Sequence, residues 1–313
     1  MTHGMDITDG VLVVGRNCVD HIAVIEKYPV EDTKLPMTLR FMEGGGQAGN
    51  AACCIAKLGG KVEVVSNLGA DDEGRFCLQR LKDFGVPTRH IRVLEGGQTP
   101  VAYIFISQNN GKRTIVYEPS RLPPVELSPL LERLMQQAKA ISLAPDVTYL
   151  AEHIAKLHGR KGKIIYDCER RQDGLVTMQR IADFFIPSSE FLSKPHGRGD
   201  RRQLMDKILA LKERIQGQLI VTCGPEGAYF PAAGHLYQVP APTVQVVDTL
   251  GAGDNFHAAF ALAVSRDLGL FESVKLAVTV ASISCSEYGG RNGLPDWTHA
   301  LEVAGKLEAR VVV

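Results

Sequence analysis

The fold class predicted for this 313-residue chain is α/β: a three-layer α/β/α sandwich with a mostly parallel central sheet, carrying a small β-sheet lid. Three observations lead there. Short apolar runs alternate with longer amphipathic segments along most of the chain, strand-like runs joined by turns interrupt that rhythm twice, and the 45% apolar composition is that of an ordinary globular protein. A chain of this length buries one large α/β core, so residues 1–313 are read as a single domain with the lid inserted from about 16–43 and 98–118.

The opening rhythm is strand, then helix. Val11 to Val14 is followed by Gly49 to Leu58, where Ala51, Ile55 and Leu58 share one face before Gly59 and Gly60 stop the helix. The unit repeats in Val62 to Val65 with Glu73 to Phe84, in Ala140 to Leu143 with Thr148 to Leu157, and in Lys163 to Tyr166 with the segment around Met178 to Ala182. Phe184 to Ile186 leads to a helix near Asp200 to Ile215, and Leu219 to Val221 to a hairpin through Gly227 to Val239. Two last helices carry Asp254 to Arg266 and Ser273 to Ser286. Such repetition argues for a parallel sheet with helices on both faces, in which ligands sit beyond the carboxyl ends of the strands. The interruptions are Ile22 to Glu26 with Met37 to Met42, and Val101 to Ser107 with Thr114 to Tyr117, joined by turns such as Asn109-Asn110-Gly111. Both leave from the sheet's early units, so one lid built from two insertions is the simplest arrangement.

Composition narrows the function classes. The formal net charge is zero, 35 basic residues balancing 35 acidic ones, and no long run of Lys and Arg marks a nucleic-acid surface. No stretch of about 18 uncharged apolar residues exists to span a bilayer. Met1 to Gly10 lacks the charged start and apolar run of a secretory signal, so a cytosolic protein without a membrane partner is expected. The seven Cys, at 18, 53, 54, 77, 168, 223 and 285, form no Cys-x-x-Cys pair and no zinc-type spacing with His, and read as reduced thiols filling small core spaces.

Chemistry concentrates in Val246-Val247-Asp248-Thr249-Leu250-Gly251-Ala252-Gly253-Asp254-Asn255-Phe256. There a strand-like run meets glycines and then a helix with Phe256, Ala259, Phe260 and Ala263 on one face. Gly251 and Gly253 let the backbone approach a ligand closely, and the free N–H groups that open a helix point at an anion, for which phosphate is the natural guest. Asp254 opposes an anion by its charge, which makes sense for a proton acceptor, while an Asp capping a helix after a glycine turn is the structural alternative. No Gly-x-x-x-x-Gly-Lys-Ser/Thr occurs, so this is not a Walker loop. Val14 leads into Gly15-Arg16-Asn17 without the second glycine of a dinucleotide fingerprint.

With its flanks, Asp-Thr-Leu-Gly-Ala-Gly-Asp at 248–254 closely resembles the C-terminal signature of the ribokinase-like, PfkB-type sugar kinases. Leu250, where many members carry Thr, is what ketohexokinases show. The resemblance runs from Val11 to about Asp296, specific at both ends and loose between Pro119 and Phe184. It implies ATP-dependent phosphorylation of a sugar hydroxyl. Asp254 would be the catalytic base, the amides of Gly251, Ala252 and Gly253 the anion hole, and Asp248 and Thr249 would shape the turn beside metal or phosphate.

By the same resemblance, the stretch Gly44-Gly45-Gly46-Gln47-Ala48-Gly49-Asn50 holds sugar hydroxyls. Asn50 is the foremost candidate, because an amide offers both donor and acceptor to a diol, whereas a helix-cap or turn Asn is the plainer alternative. Gln47 stands where ketohexokinase-like sequences place Asn. Asp20 matches the N-terminal Asp with which the family accepts hydrogen bonds from substrate hydroxyls. Asp32, in Lys27-Tyr28-Pro29-Val30-Glu31-Asp32, matches a ketohexokinase Asp that reaches the sugar across a dimer interface. Asn110-Gly111-Lys112-Arg113-Thr114-Ile115-Val116 places Arg113 near the phosphates. Val221-Thr222-Cys223-Gly224-Pro225-Glu226-Gly227-Ala228 resembles the family's strand-turn beside ATP, which makes Thr222, Gly224 and Gly227 candidates there. Glu190, in Pro187-Ser188-Ser189-Glu190-Phe191, falls where the family has an Asn and a Glu that organise magnesium through waters, with Ser188 at the Asn position.

The cofactors implied are ATP and Mg2+, with a monovalent cation left open. The substrate implied is a small-molecule sugar, and the ketohexokinase-like details point to a ketose such as fructose. Exposed edges of a small sheet invite pairing, so a homodimer through the β lid is expected. Two other functions stay open here. One is a nucleoside kinase on the same fold, with Phe41, Tyr103 and Phe105 as a wall for the base. The other is a sugar-sensing pseudokinase, against which the intact Asp254 and its glycines speak.

Overall fold

A computed structural model describes residues 7–192 and 201–313. Met1 to Asp6 of the N-terminal reading, and Asp200 at the start of the expected helix, lie outside the described residues. Strand β1 (Val11–Val14) leads into β2 (Cys18–Ile25) and β3 (Leu39–Gly45); α1 (Gln47–Lys57), β4 (Val62–Gly69), α2 (Asp72–Asp83) and β5 (Ile91–Leu94) follow. The hairpin of β6 (Val101–Ser107) and β7 (Arg113–Tyr117) comes next, then α3 (Pro129–Gln137), β8 (Ala140–Leu143), and a 3₁₀ turn over Pro145–Leu150 continued by α4 (Ala151–Lys156). Strand β9 (Lys163–Cys168), α5 (Leu175–Ile181), β10 (Phe184–Pro187) and the single turn α6 (Ser189–Leu192) complete the first described segment. The second holds α7 (Arg201–Lys212), β11 (Gln218–Leu219), β12 (Val221–Thr222), β13 (Ala228–Ala232), β14 (His235–Val239), α8 (Ala252–Ser265), α9 (Leu270–Ser284), α10 (Trp297–Ala304) and β15 (Arg310–Val311).

Seven strands form the central sheet in the order β11-β10-β9-β8-β1-β4-β5, every pair parallel. Val11 and Val13 of β1 pack into one apolar cluster with residues of α1, α2, α8, α9 and α10. Leu12 and Val14 pack into another with residues of α3, α4, α5 and α7. This alternation in a strand buried at all four positions is what a sheet covered on both faces requires, and it gives the predicted three layers. Each fully buried Phe such as Phe185, Phe230 or Phe260 contributes roughly 1.5–3 kcal/mol. Strand order reverses between β1 and β8, so a crevice opens at their carboxyl ends.

The lid is a second sheet, ordered β3-β2-β6-β7, with β2 and β6 parallel at its centre and an antiparallel partner outside each. Ile22, Val24, Ala102, Ile104 and Ile106 cover its inner face and pack with Leu250, Phe41 and Tyr288, which ties the lid to the loop before α8. A third sheet, β12-β13-β14-β15, extends the hairpin expected at Gly227 to Val239.

Three features depart from the sequence pattern. Strand β5 buries only Ile91 fully, so it shows no period-two alternation. Helix α3 opens with Ser128, whose side chain accepts from Leu131 N–H, and with Pro at the next position, a start signal lying where the family likeness is loose. The strand-like Val246-Val247 run forms no strand. The N–H groups of Val247 and Asp248 instead both donate to Cys285 O at the end of α9, at 2.8 and 3.2 Å, which removes them from any ladder.

Candidate active site

The site grows from the start of α8. Gly251 occupies its N-cap in the left-handed region (φ 71°), and a Cβ there would lie 2.8 Å from Gly290 Cα, so only glycine fits without strain. No side chain caps this 14-residue helix, so its first N–H groups, those of Ala252 and Gly253 among them, are not taken by a capping side chain. Gly253 is exposed, with nothing within 4 Å of where a Cβ would stand, which leaves open space before the amides. Behind the opening turn Phe256 and Phe260 are buried with stacked rings 6.4 Å apart, which fixes the helix end against the core.

Asp254 lies half-buried in the first turn of α8, and its Oδ2 accepts from Asn50 Nδ2 at 2.7 Å, joining α1 to α8 across the crevice. Burial holds its carboxyl above the usual value, while the Asn50 hydrogen bond and nearby His257 and Arg113 pull the other way. With Gln47, Ala48, Ser142, Ala144, Asp167 and His257 among its neighbours, Asp254 lines a cavity of about 10 Å³, room for about one water. The lining residues come from the carboxyl ends of β1, β8 and β9 and from the first turns of α1 and α8.

Strand β2 carries Asp20 into the same region. Asp20 is 5% exposed and lies against Gly45, where a Cβ would come within 2.2 Å of its carboxylate. Burial raises Asp20 to about 6, against the opposing effects of the Cys18 thiol, which donates at 3.3 Å, and Arg291. Gly46 turns β3 into α1 at φ 82°. Asp32 stands exposed in the β2–β3 loop and does not line the cavity.

On the other flank, Arg113 opens β7 and its Nη1 donates to Thr249 Oγ1 at 2.9 Å, so the lid hairpin rests on the loop that leads to Gly251. Asp248 is 1% exposed, with both oxygens engaged: Oδ1 accepts from Leu250 N–H at 2.8 Å and Oδ2 from Gly289 N–H at 2.9 Å. It therefore holds the turn. Thr222 ends β12, and Gly224 is exposed beside open space. Gly227 makes its close approach to its own hairpin, since a Cβ there would lie 2.0 Å from Val239 O. Glu190 is exposed on α6, outside the cavity.

Residues 8–297 match the pfkB family of carbohydrate kinases. The chain belongs to that family. Ribokinase of Lactococcus lactis is 28% identical over 275 residues, covering 85% of this chain and 86% of that protein. Ketohexokinase of Mus musculus is 24% identical over 292 residues, covering 89% and 97%. The structure of Arabidopsis thaliana ribokinase complexed with ribose and ATP superposes with a TM-score of 0.79 at 24% identity, over 94% of this chain and 98% of that one. The protein is thus an ATP-dependent kinase acting on a sugar or a nucleoside. None of its described helices is long and apolar enough to cross a membrane.

Three residues of this kinase's site have no counterpart in the sequence reading. Asp167, at the carboxyl end of β9, is raised to about 6 by burial. His257 lies one turn along α8 from Asp254, with Nδ1 2.8 Å from Gly253 O and Nε2 3.2 Å from Ile186 O and 3.6 Å from Asp167 Oδ1. Arg291, only 2% exposed, donates from Nε to Asn50 Oδ1 at 2.9 Å and from Nη2 to Gly45 O at 3.2 Å. An acid directly after the buried strand Ile164-Ile165-Tyr166 is a readable signal for Asp167. For Arg291 and His257 none exists in one sequence.

The raised carboxyls make the kinase's stability pH-dependent. Asp20 and Asp167 bind a proton more tightly folded than unfolded, so the stability linked to each is fully present below about 3.8 and is lost as pH rises through about 6. His90, lowered by burial, opposes this below neutral pH. The melting temperature is expected to rise between pH 7.5 and 5.5, and to rise less in Asp167→Asn; scanning fluorimetry at both pH values checks it.

Proposed function

We propose that the kinase phosphorylates a hydroxyl of a free sugar, a ketose such as fructose, with Asp254 as the base. The observation that carries this reading is the Asn50–Asp254 hydrogen bond, which sets the sugar-holding start of α1 against the anion-holding start of α8 in one crevice. Asp20 and Asn50 orient the sugar, and Asp254 takes the hydroxyl proton on the oxygen that Asn50 leaves free. The amides of Gly251, Ala252 and Gly253 hold the phosphoryl group in transfer. Gly224 gives ATP room to approach beside Thr222, and the lid closes over the crevice to exclude water. Leu250, the Asn110 to Val116 run and the likeness to mouse ketohexokinase support a ketose, whereas Gln47 changes the wall that contacts it.

The acidic residues on this side suit magnesium. Asp167 and Glu190 offer carboxylate oxygens, and among the described residues no group of three or more His, Cys, Asp or Glu could enclose a metal. That pattern fits an ion held through waters and substrate phosphates, which would neutralise charge on the phosphates when bound. Arg113 pairs with the phosphates from the lid side. Arg113→Ala is expected to raise KM for ATP roughly tenfold or more, the scale of a lost charge-assisted hydrogen bond, and an unchanged KM in a coupled assay contradicts that role.

The lid's outer face supports a homodimer. Register aligns Met42, His21, Tyr103 and Val116 across all four strands; His21 and Tyr103 stack at 5.1 Å, and Met42, Tyr103 and Val116 are exposed. In such a dimer the Asp32 loop would reach the neighbouring site. Free thiols at all seven Cys accord with a cytosolic setting.

Measuring ADP release with ketoses, aldoses and nucleosides tests the substrate class. Turnover with a ketose is expected, and turnover with nucleosides but no free sugar would replace this reading. Against a nucleoside wall, only Phe41 of the three lid aromatics is on the inner face, because Tyr103 and Phe105 alternate with the inward Ala102, Ile104 and Ile106.

A further inference from the structure

Arg291 is the largest fully buried side chain among the described residues, and nothing in the reaction as described above uses it. Its guanidinium fills the space left by the glycines before and within α1. A Cβ on Gly44 would lie 2.4 Å from Nη1, and one on Gly49 2.5 Å from Nη2. These glycines therefore cradle a cation of the protein itself. Nη1 is buried without a hydrogen-bond partner. A charge taken out of water with both Nη1 donors unpaired is a poor stabilising device, so its use lies in what it orients.

What it orients is Asn50. The two ends of an amide have nearly the same shape, and the hydrogen bonds around them decide which end points where. Arg291 offers only donors, so its Nε–H, which donates at 2.9 Å, requires the oxygen end of Asn50 as its neighbour. The NH2 end is thereby turned to Asp254, where Nδ2 donates to Oδ2 at 2.7 Å. In the swapped orientation a carbonyl oxygen would face a carboxylate.

We infer that Arg291 is a positioning residue for phosphoryl transfer: through Asn50 it presents an N–H, never an oxygen, to Asp254 and aims the free carboxylate oxygen at the substrate hydroxyl. This rests on Asp254 as the base. Around Asp254 stand Asn50 from α1, His257 from α8, Arg113 from β7, Asp167 from β9, Glu169 just beyond it and Asp20 from β2. Of these, only Asn50 is hydrogen-bonded to it.

Two variants of the full-length kinase test the inference. Arg291→Lys keeps the charge and loses the guanidinium fork, while Gly44→Ala keeps every charge and displaces the guanidinium by the added Cβ. Either suffices should the other fail to fold. With 13C-labelled aspartate, assigned using Asp254→Asn, the Asp254 carboxyl titration is expected to move upward. Turnover should fall about 10–100-fold with KM for ATP unchanged. A titration that stays at its wild-type position in the folded variants overturns the inference, whatever their turnover. Because that titration does not depend on turnover, a fully active Asp254→Asn would sink the base assignment separately.

Discussion

Asp254→Asn is expected to lower kcat by about 10²–10⁴-fold, the range of a positioned general base, and to leave KM for ATP close to wild type. The substitution keeps the shape of the side chain and removes the proton acceptor. Asn50 Nδ2, which now donates to Asp254 Oδ2, can still meet an amide oxygen there, so the crevice should stay assembled. A pH signature accompanies the loss. Burial raises the Asp254 carboxyl, and a base must be deprotonated to act, so wild-type kcat/KM falls as pH drops through that raised value. Asp20, raised to about 6, adds to the same acid limb if sugar binding needs its carboxylate. In the Asn variant the Asp254 part of that limb disappears with the activity. Loss of less than about tenfold in a coupled assay would be too small for a general base.

Gly251→Val is expected to lower kcat by about 10²–10³-fold, comparable with removing a donor from an oxyanion hole. Gly251 holds φ 71°, a conformation that a β-branched residue reaches only under strain, and its new Cβ would meet Gly290 Cα at 2.8 Å. Backbone stands on both sides of that contact, so neither side can yield by a rotamer change. The start of α8 must move, and the amides of Ala252 and Gly253 move with it. Gly253→Ala probes the open space before the amides instead, since nothing in the protein lies within 4 Å of its added Cβ. Steady-state kinetics together with a denaturation curve separate the two effects: lost turnover with a cooperative fold retained supports the anion hole, and full turnover in Gly251→Val contradicts it.

The layered architecture was legible because burial on two faces forces continuous apolar strands, as in Val11 to Val14, and because helices such as Gly49 to Leu58 repeat their apolar residues at helical spacing. The lid could be read from two strand pairs alone, since their shared sheet follows from both leaving the same end of the early units. Strand β5 was hidden because an edge strand with one fully buried residue has no periodicity to show. Within the site, Asp254 stood out by the conflict between its charge and a helix start whose N–H groups no side chain caps. Arg291 did not, because a buried guanidinium is defined by Asn50 and the glycines at 44 and 49, more than 200 residues away in sequence. Gly227 has a local reason for its residue type, since a Cβ there would meet Val239 O at 2.0 Å.

A structure of the kinase with fructose, magnesium, ADP and tetrafluoroaluminate decides whether Asp254 faces the acceptor hydroxyl, because the planar fluoride complex takes the place of the phosphoryl group in transfer. The acceptor hydroxyl is expected within hydrogen-bond reach of the Asp254 oxygen that Asn50 leaves free, with fluorine atoms facing the N–H groups of Gly251, Ala252 and Gly253. A hydroxyl held away from Asp254, or a fluoride complex seated away from the start of α8, would contradict it.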